Sequence, residues 1–214
     1  MASFSGFPDQ AFAFYAALAT NNNRPWWTDH KGEDEEFVKA PLVALCEALQ
    51  DEFGEFKIYR PYRDARFSKD KTPIKDHQGA VVMIEDNVGY YVQVSATGLM
   101  VAGGWYAAQG KQLERYRKAV DTAAGAELER LLTLLSKKFE VNGNPLKTKP
   151  KGYEADHPRI ELLRNRSLTF AKHYDDEAWI GTKKALTVVR DDWRKMQPAM
   201  EWLADHVGPG EDPT

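Results

Sequence analysis

Residues 79–84, 88–95 and 99–106 are rich in β-branched and aromatic residues, alternating at Val88, Tyr90, Val92 and Val94, and the connections between these runs are only three residues long, Glu85-Asp86-Asn87 and Ala96-Thr97-Gly98. A parallel pair of strands needs a crossover of about a dozen residues, so runs this closely joined pair antiparallel. Residues 79–84, 88–95 and 99–104 are therefore expected as a meander. Residues 56–60 and 168–174 carry the same alternation and are expected as further strands.

Elsewhere the apolar period lengthens to three and four. Phe12, Tyr15, Ala16 and Ala19 give an early helix one apolar face. Val38, Leu42, Leu45, Leu49 and Phe53 give a second, with Pro41 a kink or a restart and Gly54 a stop. Leu128, Leu131, Leu132 and Leu135 mark a middle helix. Leu186, Val189, Trp193, Met196, Met200 and Leu203 mark a long one over 182–206, with Pro198 inside it. Asn21 to Pro25 reads as a turn cluster, and 143–157 as loop. The fold class is α+β: a central antiparallel meander covered by N-terminal, middle and C-terminal helices. One domain is expected over 1–207, with a flexible tail over 208–214.

Composition narrows the functional class. Hydrophobic residues at 43% and charged residues at 29% are the balance of a packed globular chain. A net charge of −3 argues against a dedicated nucleic-acid binder, which is strongly basic. The first ten residues lack a basic start followed by an apolar run, and no stretch has the apolar length of a membrane span, so a cytoplasmic protein is expected. The single cysteine, Cys46, sits among helical leucines as a buried thiol. The histidines show no metal-ligand spacing, and no metal or cofactor is assigned.

Against this mildly acidic background, residues 60–75 invert the local charge. They hold Arg60, Arg63, Arg66, Lys69, Lys71 and Lys75 against only Asp64 and Asp70. If 60–68 is extended, Tyr62, Asp64, Arg66 and Ser68 share one face and Phe67 the other. Asp64, two residues from Arg66, can then hold its guanidinium as an oriented fork for carboxylate or phosphate. The competing reading is a salt-bridged strand edge guarded by lysines. The density of cations around Phe67 and Ser68 favours an anion site.

Two further stretches join it. Lys147, Lys149, Lys151 and Tyr153 form a second basic loop, and His157 at its end is the first choice for a general acid or base. At Gly103-Gly104-Trp105-Tyr106 the glycines permit close backbone approach and Trp105 offers a stacking face, although a bend between sheet and helix is the commoner use. Gly104 to Lys111 is not a phosphate loop, because Gln112 stands where Ser or Thr is needed.

Taken together, the run R-D-A-R-F-S-K-D-K-T-P-I-K at 63–75, Asn21-Asn22 followed by Trp26, G-G-W-Y at 103–106 and P-K-G-Y-E-A-D-H-P at 150–158 resemble the domain-of-unknown-function family numbered 2461. The likeness covers nearly the whole chain. It departs at Ile74, where the family pattern has Tyr, and at Trp27, where Phe is common. The resemblance implies a mixed α+β cytosolic protein of bacterial or fungal type, with the basic loops and the G-G-W-Y turn as parts of one design. It brings no reaction.

The expectation is a cationic cleft lined by Arg63, Asp64, Arg66, Ser68, Lys69, Lys71, Lys75, Trp105, Lys151 and Tyr153, taking a small phosphate- or carboxylate-bearing ligand. The alternative is a nucleic-acid-binding or protein-interaction module that uses the same residues as an exposed basic face.

Overall fold

The structure is a computed structural model and describes residues 3–64, 66, 70–106, 110–175 and 177–210. Helix α1 (Asp9–Thr20) starts directly after Pro8, and Asp9 suits the positive end of the helix. Helix α2 (Arg24–Glu33) begins within the Asn21–Pro25 stretch that the sequence reads as a turn cluster. Pro25 serves in its first turn, where a missing N–H costs nothing, and the Asn23 side chain accepts from the Trp26 N–H as the cap.

A π-helical segment, Asp34–Lys39, joins α2 to α3 (Ala40–Glu47). Pro41 falls in the first turn of α3, so it restarts the helix rather than kinking it. A short α4 (Gln50–Phe53) ends at Gly54, whose positive φ of 107° is open to glycine and strained for other residues.

Six strands follow among the described residues: β1 (Phe56–Ile58), β2 (His77–Glu85), β3 (Val88–Ser95), β4 (Gly98–Trp105), β5 (Glu140–Gly143) and β6 (Leu168–Asp175). They form one antiparallel sheet in the order β1-β2-β3-β4-β6-β5. Phe56 lies opposite Val82 at one edge, and Gly143 opposite Leu168 at the other. Asn87, in the β2–β3 turn, has φ 62°, a left-handed conformation that Asn tolerates better than most residues. N-terminal, middle and C-terminal helices pack on the sheet, the later ones being α5 (Gly110–Val120), α6 (Ala123–Leu135), α7 (Ile160–Arg164) and α8 (Lys184–Val207).

The residues cluster into two compact units. The first comprises Met1–Val82, Tyr91–Val101 and His173–Asp191, and the second Met83–Tyr90, Ala102–Lys172 and Asp192–Thr214. Strands β2, β3, β4 and β6 contribute residues to both. The first unit buries Phe7, Leu18, Val38, Leu42 and Leu45 completely; the second does so with Trp105, Tyr116, Leu128, Phe170 and Trp193.

Gly143, expected to open a loop, instead ends β5, a short edge strand whose residues are mostly exposed and carry no alternation. At the start of the last segment, Gln112 donates to the Gly208 carbonyl (2.8 Å) and the Gly210 N–H donates to Asp86 (3.0 Å). Residues 211–214 lie outside the described residues.

Candidate functional site

The basic stretch folds back on itself. After β1 the chain leaves regular pairing, and a single antiparallel bridge joins Tyr62 to Ile74. The Arg63 N–H donates to the Pro73 carbonyl (2.9 Å), and the Lys75 N–H donates to the Pro61 carbonyl (2.8 Å). Both prolines thus supply only acceptors to this small ladder, the one backbone role proline retains.

The returning leg is pinned from 52 residues away. The Asn22 side chain donates to the Ile74 carbonyl (2.9 Å) and accepts from the Ile74 N–H (3.1 Å), standing in for a neighbouring strand. Asn22 lies just past α1, and Asn23 caps α2, so the ends of two helices are fixed beside the basic loop.

Between them lies a cleft of about 920 Å³, lined by Asn22, Asn23, Arg24, Arg60, Tyr62, Arg63, Asp64, Arg66, Lys71 and Pro73. Five of these side chains are cationic and one is a carboxylate. The Arg66 guanidinium sits two-pronged on Asp64, with Nε to Oδ1 at 3.0 Å and Nη2 to Oδ2 at 2.7 Å. The same carboxylate also accepts from the Arg66 N–H (3.2 Å). These bonds hold the Asp64 carboxyl below its ordinary range.

Arg63 reaches Asp70 (3.0 Å) and, more distantly, Asp76 (3.7 Å), while its buried Nε has no hydrogen-bond partner. Lys75 lies at the base of the loop, donating to the Arg60 carbonyl (3.0 Å) with its ammonium 5.3 Å from the Tyr59 ring centre. Burial, then the charges of Arg60 and Arg63, lower the Lys75 pKa. The cations therefore crowd one another, and an incoming anion would relieve that repulsion.

Of the residues expected from sequence, Arg63, Asp64, Arg66 and Lys71 line this cleft; Lys75 is not in the lining, and its ammonium donates to the carbonyl of Arg60, which is. Phe67, Ser68 and Lys69 lie outside the described residues. Lys151 and Tyr153 belong to the second unit, whereas the whole cleft lining comes from the first.

Trp105 is fully buried, with its ring 5.2 Å from that of Tyr116, which is the placement of a core side chain. The glycines before it serve packing. A Cβ on Gly104 would collide with the Leu168 carbonyl oxygen, and one on Gly103 would press on Met196 and Met200.

His157 has both ring nitrogens engaged. Nδ1 accepts from the Arg159 N–H (3.0 Å), which leaves Nε2 to donate to Asp121 (3.0 Å). This pairing braces the start of α7, and His157 is not among the residues lining the cationic cleft.

Sequence reasoning left Asn22, Asn23, Arg24, Arg60 and Tyr62 out of the site. Arg60 and Tyr62 lie in the basic stretch itself, and Asn22 in the N-N-N-R-P-W cluster, whose capping and pairing roles were the available signal.

Among the described residues no group of three or more His, Cys, Asp or Glu side chains could hold a metal ion, and no helix is long and apolar enough to cross a membrane. A family model described as a conserved hypothetical protein (DUF2461) matches residues 10–202. No curated protein matches the sequence.

Proposed function

The chain belongs to the DUF2461 family of conserved hypothetical proteins, and since that family carries no assigned reaction, we propose its function from the cleft alone: binding of a small ligand bearing phosphate or carboxylate. The observation that carries this reading is the imbalance of the lining, five cations against one carboxylate in a concavity of about 920 Å³. Small-molecule sites commonly measure ~300–1,000 Å³. The Arg66 guanidinium, held by Asp64 at the cleft lining, adds an oriented positive charge, and Arg63 holds a buried N–H still to be satisfied.

Calorimetric titration with inorganic phosphate and with citrate tests it. Saturable binding is expected, weakened in Arg60→Ala and Arg66→Ala without loss of folding. Binding that ignores both substitutions, or none at millimolar ligand, overturns the reading.

A second reading rests on Tyr62, which is 48% exposed amid the cations and presents a ring on which a base could stack. Tight, steeply salt-dependent binding of mixed-sequence oligonucleotides would favour that alternative.

A further inference from the structure

A second cavity, of about 350 Å³, is lined by residues of the same unit, among them Tyr15, Asp76, His77, Gln93 and Ser95. Its lining meets that of the cationic cleft. Arg63 of the cleft lies 3.7 Å from Asp76 of the cavity, and the same Asp76 oxygen accepts from His77 Nδ1 at 2.8 Å.

The chain itself runs past both spaces. Pro73 lines the cleft, and Asp76 and His77, a few residues on, line the cavity. Tyr15 and Ala19, one turn apart on α1, line the cavity, and Asn22 beyond the end of that helix lines the cleft.

The two linings differ in chemistry. The cleft is cationic. The cavity offers a phenol, an amide, hydroxyls and imidazoles, with the carboxylates of Asp76 and Asp175 as acceptors. Several of these groups are held in a defined state. The Tyr91 hydroxyl donates to Gln93 Oε1 (2.9 Å), so the Gln93 amide N–H₂ remains as a donor. Asp76 accepts from His77 Nδ1, which leaves Nε2 as the ring nitrogen able to meet a ligand. Burial, then the charges of Asp34 and Asp76, push the Tyr15 phenol up, so it stays a neutral donor. Two carboxylates disfavour a second anionic group here, while mixed donors and acceptors fit hydroxyls.

We propose that cleft and cavity form one bipartite site for a phosphorylated polyol, with the phosphate among the arginines and the hydroxyl-bearing body against Tyr15, His77 and Gln93. This rests on the anion-binding reading of the cleft and adds the class of ligand.

Isothermal titration of the full chain with inorganic phosphate, with ribose, and with ribose phosphorylated on its terminal hydroxyl separates the two claims. The sugar phosphate should bind about tenfold or more tighter than phosphate, the gain from a few neutral hydrogen bonds made by a tethered body. Gln93→Ala and His77→Ala should each erase most of that preference while leaving phosphate affinity unchanged. Equal affinities for phosphate and sugar phosphate overturn the bipartite site and leave the cationic cleft standing. Ribose binding as tightly as its phosphate overturns the link between the two spaces. Failure of both phosphates to bind overturns the cleft reading, and this inference with it.

Discussion

Replacing Asn22 by Ala tests how the cleft is held in shape. The Asn22 amide makes two hydrogen bonds to the backbone of Ile74, a residue only 1% exposed. In Asn22→Ala both disappear, and alanine offers neither a donor nor an acceptor in return. Each such bond is worth ~0.5–1.5 kcal/mol, and a buried backbone group left unpaired costs ~1–3 kcal/mol. Some water will reach the partly buried site, so a loss of about 2–3 kcal/mol in holding the loop against α1 is the working figure. The readout closest to the cause is hydrogen exchange at the Ile74 amide, whose acceptor is the Asn22 side chain. That energy corresponds to exchange faster by roughly 30- to 140-fold. The global melting temperature should fall by about 4–12 °C if the loop opens only with the rest of the protein, and by less if it opens alone. Phosphate affinity should fall as well, because Arg63 and Lys71 lose their fixed positions. Unchanged Ile74 exchange together with an unchanged melting temperature would refute the pinning role of Asn22.

Burial, then the charge of Glu35, raise the Asp34 pKa from 3.8 to about 6. Between those values the folded protein keeps a proton that the unfolded chain has lost, so this group lowers stability as pH rises through the window, and the cost persists above it. Asp34→Asn should therefore raise stability by about 1–3 kcal/mol at pH 7 and change it little near pH 4, as read by denaturant titration; an equal effect at both pH values contradicts it. Arg66→Lys should weaken phosphate binding, since lysine keeps the charge and loses the two-pronged geometry, while thermal unfolding stays close to wild type because the Arg66 side chain is 78% exposed. Wild-type affinity with much earlier unfolding would make Arg66 a structural ion pair instead. Gly104→Ala should cost about 3 kcal/mol or more, since its φ of 138° is strained for alanine and its Cβ would strike the Leu168 carbonyl; a melting temperature within a degree of wild type would show that β6 can yield there.

Much of the fold was legible because its signals are short-range. Alternation of Val88, Tyr90, Val92 and Val94 marked β3 at the residues it occupies, and three-residue connections left an antiparallel meander as the only pairing within reach. The Asp64–Arg66 pairing was equally readable, because an aspartate carboxylate reaches the N–H and the side chain two residues on without help from the rest of the fold. β5 was missed because exposed edge residues have no buried face to impose a pattern. α2 was missed because proline marks a turn and a helix start alike, and only the Asn23 cap decides between them.

The candidate site divides along the same line. The order of residues alone shows where the cations concentrate and that Asp64 can orient Arg66. Tertiary structure decided which groups face open space. It brought Asn22 to Ile74 across 52 residues, gave both nitrogens of His157 to partners, and set Trp105 in the core, where the G-G-W-Y motif alone left a stacking role open. A residue's type states what it can bind. Whether it is free to do so depends on hydrogen bonds and packing made by segments far off in the chain, which no local pattern encodes.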